Sequence, residues 1–324
     1  MIKDSYNRIH NYLRISLTDN CNLRCSYCMP EEDYLFTPVS KLMQVSEIET
    51  LAKVFVSEGV NKIRLTGGEP LVRKDAAEIM LSLSKLPVQL TLTTNGTRLH
   101  KFFDVLMEAN IRSLNISLDT LQSNKFNLIT QRDQFDIVWK NIQHLVKNNF
   151  HVKVNVVVMK NINDNEIKDF IAWTKNTPVH VRFIEFMPFS GNGWTSNRVV
   201  TLQQILDTIS QGYSFIPIPG EKHDTAKKFV VPGRNESFPP QFCGGKRKLQ
   251  AILNWTSTTS EVGARSMVTF RYTVVDVPAW VRNPALWNFF WDLKRVDQTR
   301  EDSIVLVLTK HGWKDIDEAR QDEL

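Results

Sequence analysis

Cysteine is scarce in this chain, and long apolar runs and blocks of like charge are absent. Only four cysteines occur in 324 residues, which excludes a disulfide-stabilised secreted scaffold and favours a reducing compartment. No apolar run reaches transmembrane length, and the first residues lack the features of a signal peptide, so we expect a cytoplasmic protein without membrane contact. The net charge of +5 is mild and not gathered into a block, so nucleic acid is not an expected partner.

Short apolar strands alternate with amphipathic helices from about residue 40 to about residue 210. Capping-box sequences predict helix starts at Ser46, Asp75 and Thr201. Segments with strand composition lie at residues 12–17, 61–66, 89–94, 113–118, 151–158 and 179–186. Because repeated strand–helix units form parallel sheets with the helices outside, the pattern predicts an α/β fold. We expect a partial (β/α)6 TIM-type barrel over residues 1–222.

Three of the four cysteines, Cys21, Cys25 and Cys28, form a CxxxCxxC motif directly after the first predicted strand. Three thiolates on one short loop suit three corners of a 4Fe–4S cluster and leave the fourth iron open to a substrate or cofactor. Structural zinc needs four protein ligands, and no further His or Cys lies near enough in sequence to complete that set. A zinc knuckle, a disulfide pair and plain buried thiols are the alternatives to the cluster.

Polar side chains recur at every second position of five predicted strands, whereas a purely structural parallel strand would be apolar on both faces. The pairs are Arg14 and Ser16, Arg64 and Thr66, Thr91 and Thr93, Asn115 and Ser117, and Lys153 and Asn155. Five such strands predict a polar lumen that binds a charged ligand, although exposed sheet edges would give the same pattern. Because three of these residues are cations, we expect a polyanion. Ion pairs with Glu69, Asp119 or Glu185 are the alternative.

Two segments carry a resemblance to a known family. Residues 18–30 hold the cysteine motif with an aromatic residue, Tyr27, before the last cysteine, and residues 64–73 read RLTGGEPLVR. In these segments the chain resembles the radical S-adenosylmethionine superfamily and, within it, the GTP 3′,8-cyclase family of molybdenum cofactor biosynthesis. The resemblance runs from about residue 8 to about residue 230 and implies the same partial barrel.

The resemblance implies one 4Fe–4S cluster on the three cysteines, with S-adenosyl-L-methionine bound at its open iron. Gly67 and Gly68 would let the backbone approach a ligand closely, and Glu69 would accept from an ammonium group. By resemblance, S-adenosylmethionine is contacted by Tyr27 through its backbone, Gly68, Ser117 and Met187, and GTP is bound by Arg14, Arg64, Thr93 and Lys153. Asn95, Gly96 and Asp119 are expected to shape loops at the same end of the barrel. No residue is assigned a catalytic role.

The implied reaction converts GTP to 3′,8-cyclo-7,8-dihydro-GTP through a 5′-deoxyadenosyl radical. The family also implies three partners: an electron donor such as flavodoxin or ferredoxin, a cyclic pyranopterin monophosphate synthase that uses the product, and a second copy of the chain in a homodimer. Two other hypotheses stay open. One is a degenerate paralogue that binds S-adenosylmethionine or a partner without turnover. The other is a different radical enzyme, such as a peptide maturase.

The resemblance fails in the last part of the chain. Family members carry a second 4Fe–4S cluster on a C-terminal CxxC and a third cysteine. Here Cys243 matches the first ligand, Lys246 stands at the second, and no cysteine follows. We therefore expect the second cluster to be absent and residues 223–248 to be a degenerate remnant of that region. Residues 249–324 form an atypical C-terminal segment, with strand-like runs at residues 266–275 and 303–308.

Overall fold

The computed structural model describes residues 2, 8–29, 34–188, 192, 194–219 and 226–232, together with the backbone of five strands between residues 241 and 315. The chain divides into two compact units. The first unit is Arg8–Arg247, and the second contains Lys248–Leu324 together with Ile2–Asn7. Within the described residues, no helix is both long and apolar enough to cross a membrane.

The first unit is a nine-stranded sheet with helices in the connections between its parallel strands. Its strands are β1 (Tyr12–Ser16), β2 (Lys62–Thr66), β3 (Gln89–Thr94), β4 (Ser113–Ser117), β5 (His151–Val158), β6 (Val179–Glu185), β7 (Ile216–Ile218), β8 (Lys227–Val230) and β9 (Gln241–Gly245). Its helices are α1 (Val45–Ser57), α2 (Ala76–Leu83), α3 (Phe103–Glu108), α4 (Ser123–Thr130), α5 (Phe135–Lys147), α6 (Ile167–Trp173) and α7 (Leu202–Ser210). Strands β1 to β6 are parallel neighbours in chain order, which confirms the predicted six-stranded α/β arrangement.

The sheet continues beyond β6. Strand β9 pairs with β6 in parallel, and β8 and β7 follow as antiparallel neighbours. Residues 227–230 and 241–245 therefore extend the core sheet past the predicted core boundary at residue 222. Lys246 and the residues directly after it lie outside the described part of the chain, as does the side chain of Cys243.

The helix starts correct two details of the sequence analysis. Helix α1 is capped two residues earlier than predicted, because Gln44 and Glu47 form its capping box. Helix α2 begins after Asp75 as predicted, but the Asp75 carboxylate accepts hydrogen bonds from Arg73 instead of capping the helix. The predicted capping box at Thr201 is confirmed at the start of α7. Helix α4, which the apolar periodicity did not reveal, follows β4 and carries three buried residues.

The two faces of the parallel sheet differ in chemistry. On β5, burial alternates with a period of two, so that Val152, Val154, Val156 and Val158 are buried while their neighbours are half-buried. Burying each such valine stabilises the fold by roughly 1.5 kcal/mol or more. The intervening positions carry the polar residues that the sequence pattern placed on one face. The apolar face therefore fixes the strands, and the polar face is left for a site.

The second unit contains a four-stranded antiparallel sheet in chain order. Its strands are β10 (Thr256–Val262), β11 (Arg265–Tyr272), β12 (Arg300–Thr309) and β13 (Gly312–Asp315). The two strand-like runs predicted from the sequence fall on β11 and β12. The backbone of this second unit does not indicate a function.

Candidate functional site

The loop that carries Cys21, Cys25 and Cys28, called the cysteine loop below, follows β1 and is held on two sides by backbone hydrogen bonds. The amide of Leu17 donates to the carbonyl of Thr66 at 2.8 Å, which continues the pairing of β1 with β2. The amides of Arg24 and Ser26 donate to the last turn of α4, each at 2.9 Å. The amide of Cys28 donates to the carbonyl of Cys25 at 2.9 Å, which closes a tight turn. Helix α4 therefore supports the loop that carries the cysteines.

The glycine pair Gly67 and Gly68 lies directly against the start of this loop. A Cβ atom on Gly67 would lie 2.5 Å from the carbonyl oxygen of Thr18, and one on Gly68 would lie 2.3 Å from that of Asp19. The amide of Gly68 donates to Thr18 at 2.7 Å. The close approach that these glycines permit is therefore to the protein's own backbone, because no side chain fits between the two segments.

Glu69 has a role that the sequence analysis did not foresee. Its side chain is fully buried and accepts hydrogen bonds from the amides of Leu71 and Asn95 and from the hydroxyl of Thr94. Both carboxylate oxygens are thus occupied by donors from the ends of β2 and β3. That Glu69 also accepts from a ligand's ammonium group stays a prediction; the structure shows that it ties two strand ends together.

The cysteine loop and the strand ends enclose a cavity of about 180 Å³. Predicted site residues that line it are Cys21, Cys25, Cys28, Tyr27, Gly68, Thr93 and Ser117. The structure therefore brings together all three cysteines, three of the four residues expected near S-adenosylmethionine and one expected near GTP. Met187 is not among the lining residues; it follows β6, where its carbonyl accepts a hydrogen bond from Asn192 at 2.9 Å.

Two loop residues connect the cysteine loop to the barrel. The Tyr27 hydroxyl donates to Asp119 at 2.7 Å, and the other carboxylate oxygen of Asp119 accepts from the amide of Val157 at 2.8 Å. Burial raises the pKa of Asp119 to about 6, although both donors lower it. Asn95 donates to the Sγ atom of Cys21 at 3.7 Å and to Asn22 at 2.9 Å. Asp119 and Asn95 were expected to shape loops at this end of the barrel. The structure shows that the loop they position is the cysteine loop.

The electrostatic environment of the three thiols favours a cationic ligand. Burial raises the pKa of Cys21, Cys25 and Cys28, and the neighbouring carboxylate of Glu69 or Asp119 raises each further. The thiols alone would therefore stay protonated at neutral pH, and a bound metal is needed to hold them as thiolates. The backbone amide of Leu23 also donates to the Cys21 sulfur at 3.4 Å. Such hydrogen bonds stabilise the thiolates of iron–sulfur clusters.

The arrangement discriminates between a cluster and a single ion. Within the part of the chain that the structure describes, no three His, Cys, Asp or Glu side chains converge to hold one metal ion. Three cysteines nevertheless line one cavity. This donor set fits a polynuclear iron–sulfur cluster, whose irons are separate, better than a zinc ion, which draws its four ligands to one point.

The polar face predicted from the strand pattern forms continuous rows in the sheet. Arg14 pairs in register with Arg64 on β2, and Arg64 pairs with Thr91 on β3. A second row joins Thr93, Asn115 and Lys153. The Nε atom of Arg64 and the Oδ1 atoms of Asn115 and Asn155 are buried without a hydrogen-bond partner among the described residues. Buried polar atoms of this kind are costly unless a ligand or water satisfies them, so the face is suited to a polar ligand.

For Arg64, the alternative of an ion pair with one of these carboxylates loses its support. The carboxylates proposed as partners serve other groups: Glu69 and Asp119 as described above, and Glu185, whose carboxylate accepts from the amide of Leu202 at 2.7 Å. Arg64 instead lies over the ring of Tyr12 at 5.7 Å from its centroid. Burial lowers the pKa of Arg64, and Arg182 and Arg14 lower it further, as expected where like charges converge.

The sequence analysis missed the part of this face that lies on β6. Asn155 pairs in register with Arg182, and Lys153 pairs with His180, so both β6 side chains continue the polar rows. The Nε atom of Arg182 is also buried without a partner among the described residues. The same alternation of apolar and polar residues marks β6 in the sequence and would have revealed both residues.

Comparisons with known proteins agree with this geometry. The model of the radical SAM superfamily matches residues 15–174. The mitochondrial GTP 3′,8-cyclase of Arabidopsis thaliana is 45% identical over 78% of this chain and 68% of its own length. Molybdenum cofactor biosynthesis protein 1 of Homo sapiens is 44% identical over 77% of this chain, which spans only 41% of that protein. The crystal structure of Streptococcus suis SuiB bound to S-adenosylmethionine shares the fold, with a TM-score of 0.52 over 62% of this chain and 48% of SuiB at 18% identity.

Proposed function

Because the chain belongs to the GTP 3′,8-cyclase family of the radical SAM superfamily, we propose that it converts GTP to 3′,8-cyclo-7,8-dihydro-GTP in molybdenum cofactor biosynthesis. One observation supports this most directly. The cysteine cavity opens between strand ends whose polar face continues into rows of cations and of buried polar atoms that have no partner among the described residues. A site for a radical-generating cofactor and a site for a polyanion thus share one face of one sheet.

Cys21, Cys25 and Cys28 would hold a 4Fe–4S cluster, and the fourth iron, without a protein ligand, would take S-adenosylmethionine. When bound, the pair supplies the electron and the carbon–sulfur bond that give methionine and a 5′-deoxyadenosyl radical. The protein contributes the geometry: α4 and the glycine pair fix the loop, and the Tyr27–Asp119 hydrogen bond ties it to β4 and β5. The fully buried Glu69 keeps the strand ends rigid around the cavity.

We assign the S-adenosylmethionine contacts to Tyr27, Gly68, Ser117 and Met187. Three of these residues line the cysteine cavity, which supports the assignment for them. Met187 is assigned from the family resemblance, and its place directly after β6 puts it at the same edge of the sheet. Enclosure of this cavity would keep water away from the radical.

We assign the GTP contacts to Arg14, Arg64, Thr93 and Lys153, with Arg182 added from the structure. All five lie at alternate positions of parallel strands and share one face. An arginine donates two parallel hydrogen bonds to a phosphate, which suits Arg64 and Arg182, whose buried Nε atoms have no partner within the described part of the chain. Their role is to bind and orient GTP, so that its ribose faces the radical from the cysteine cavity.

We also propose that the chain works with a single cluster. The support is that Lys246 stands where the family has a cluster ligand, and that residues 244–324 contain no cysteine. The remaining partners follow from the family: flavodoxin or ferredoxin as electron donor, cyclic pyranopterin monophosphate synthase downstream, and a homodimer. We propose the cytoplasm as the compartment, since clustered free cysteines suit a reducing environment.

Anaerobic reconstitution followed by iron counting and an assay for 5′-deoxyadenosine tests the proposal. We expect about four irons per chain, as one 4Fe–4S cluster requires, and nucleoside formation that GTP stimulates. Formation without GTP dependence would indicate another substrate, and no formation would indicate a degenerate paralogue. Eight irons would refute the single-cluster proposal. In the matched pair of variants, Cys25→Ala abolishes the brown chromophore and Cys243→Ala leaves it nearly unchanged.

A further inference from the structure

A chain of three hydrogen-bonding side chains lies on the polar face near the amino-terminal ends of β4, β5 and β6. The Nδ1 atom of His151 lies 3.2 Å from the Oγ atom of Ser113. The Nε2 atom of His151 lies 3.3 Å from the Nδ1 atom of His180. The two imidazole rings are nearly perpendicular at 84°, with centroids 4.6 Å apart. We call Ser113, His151 and His180 the Ser–His–His chain.

The Ser–His–His chain is neutral in the free protein. Burial lowers the pKa of His180 to about 4, and His151, Lys153 and Arg182 lower it further. Burial, Lys153 and Lys62 lower the pKa of His151 as well. In the neutral pair, the N–H group of one ring donates to the bare nitrogen of the other ring. One further proton is compatible with the same contact, since an imidazolium still donates to a neutral imidazole.

The side chains around the Ser–His–His chain are cationic, and one of them has a buried donor without a described partner. Lys62 and Arg64 on β2, Lys153 on β5 and Arg182 on β6 lie on the same face. The described residues of β1 to β6 place no Asp or Glu on that face, because Glu185, the one acid within these strands, has the opposite parity. The buried Nε atom of Arg182 has no partner among the described residues. Burial is the larger cause of the lowered pKa values of both histidines, and the cationic field adds to it; an anion would cancel that second contribution.

We propose that the Ser–His–His chain forms part of the binding site for the phosphate chain of a nucleoside triphosphate and takes up one proton when that chain binds. This inference rests on the proposed function and names a pH-dependent contact within it. The bound phosphates offset the charges of Lys62, Lys153 and Arg182, and a phosphate oxygen accepts a hydrogen bond from the imidazolium. The proton comes from solvent, and only hydrogen bonds are made or broken.

The direction of the pH dependence follows from this linkage. Because binding raises the pKa of the histidine pair, protonation adds to the affinity for the phosphate chain. This added affinity is fully present at pH values below the pKa of the free pair. It is lost as pH rises through the pKa of the complex. For one proton, the dissociation constant changes by no more than about tenfold per pH unit.

Two other roles for the histidine pair predict different behaviour. Two imidazole nitrogens could chelate a divalent transition metal, but no third His, Cys, Asp or Glu ligand joins them among the described residues, and the surrounding cations oppose a metal. A cross-strand pair that only supports the sheet would add roughly 0.2–1 kcal/mol to stability and would not couple to a ligand. Neither role leads to proton uptake on binding of a phosphate chain.

Titration calorimetry of the reconstituted full-length protein tests the inference. GTP is titrated at pH 6.5 in two buffers with different ionisation enthalpies, and the difference in heat gives the number of protons taken up. The wild type, His180→Gln and His151→Gln are compared, and His100→Gln serves as a matched control because His100 is exposed on a helical turn away from the polar face. Inorganic tripolyphosphate is titrated into the wild type in parallel.

We expect the wild type and His100→Gln to take up more protons than either polar-face variant, by a substantial fraction of one proton per ligand bound. Their dissociation constants should also rise more steeply with pH. Equal proton uptake in all four proteins would overturn the inference. If GTP does not bind but tripolyphosphate binds with proton uptake, the inference holds while GTP as substrate fails. Tripolyphosphate binding to the wild type without proton uptake overturns the inference even if a variant misfolds, and binding of neither ligand overturns it together with the proposed function.

Discussion

Replacement of Gly68 by alanine should break the cysteine site without touching a cysteine. The new Cβ atom would lie 2.3 Å from the carbonyl oxygen of Asp19 and 2.5 Å from that of Asn20. Both are backbone atoms, so no flexible side chain can move aside. The loop must retreat by roughly the 0.7 Å that separates 2.3 Å from the 3.0 Å limit of real contacts.

The cost can be worked from the contacts that this shift disturbs. Overpacking of a rigid site typically costs about 1–3 kcal/mol. The shift also stretches two hydrogen bonds, from Gly68 to Thr18 at 2.7 Å and from Glu69 to Asn20 at 2.8 Å. Each contributes about 1 kcal/mol. We expect Gly68→Ala to lower the free energy of unfolding by about 3 kcal/mol and to reduce cluster incorporation after reconstitution.

Urea unfolding of the cluster-free protein and iron counting of the reconstituted protein measure the two effects. Gly212→Ala is the matched control, because among the described residues a Cβ atom there would meet only the side chain of Lys168, at 3.8 Å. That variant should stay within about 0.5 kcal/mol of the wild type. Because neither measurement involves S-adenosylmethionine, a loss cannot come from a lost ligand contact at Gly68. Wild-type stability and iron content in Gly68→Ala would refute the argument that the glycine pair positions the loop.

Three further predictions concern other parts of the fold. In the cluster-free protein, Asp119→Asn should remove one contribution to the pH dependence of the free energy of unfolding. Since its pKa is raised from 3.8 to about 6, the Asp119 carboxyl destabilises the fold increasingly as pH rises through this interval. The wild type should lose on the order of 1 kcal/mol relative to the variant between pH 5 and pH 7.5, and parallel curves would contradict this. Arg64→Gln should weaken GTP binding about tenfold or more in calorimetry, whereas the exposed Arg112→Gln should leave it unchanged; equal effects would count against the polar face. Thr201→Ala removes the hydroxyl that accepts from the amide of Gln204, and should cost about 1 kcal/mol in urea unfolding; no change would show that this cap is dispensable.

Several features of this protein follow from the sequence because they depend on local order along the chain. The period-two pattern of β5 and the repeated strand–helix units predicted a parallel sheet, since each strand must bury one apolar face. Spacing alone placed three cysteines on one loop. The polar parity of five strands predicted that Arg14, Arg64 and Lys153 would share a face, and the register of the sheet places them there.

Local pattern misled where a side chain had more than one possible partner. Asp75 and Glu49 both fit a capping position in the sequence, but Asp75 binds Arg73, and Glu49 pairs with Lys53 and Ser82. For Glu69 the sequence suggested only a ligand contact, and it did not reveal the three protein donors that hold its carboxylate between two strand ends. Such choices depend on which donors lie nearby in space, and spacing along the chain does not reveal them.

The sequence by itself determined the parallel fold, the cysteine motif and the sign of the charge on the polar face, because these depend on residue type and period. Only the tertiary structure decided that Gly67 and Gly68 serve the cysteine loop, that Tyr27 meets Asp119 across 92 positions, and that two histidine rings from different strands lie within hydrogen-bond distance. These contacts join distant segments at separations of a few ångströms. Their geometry is set by strand register and loop docking, which exist only once the sheet has formed.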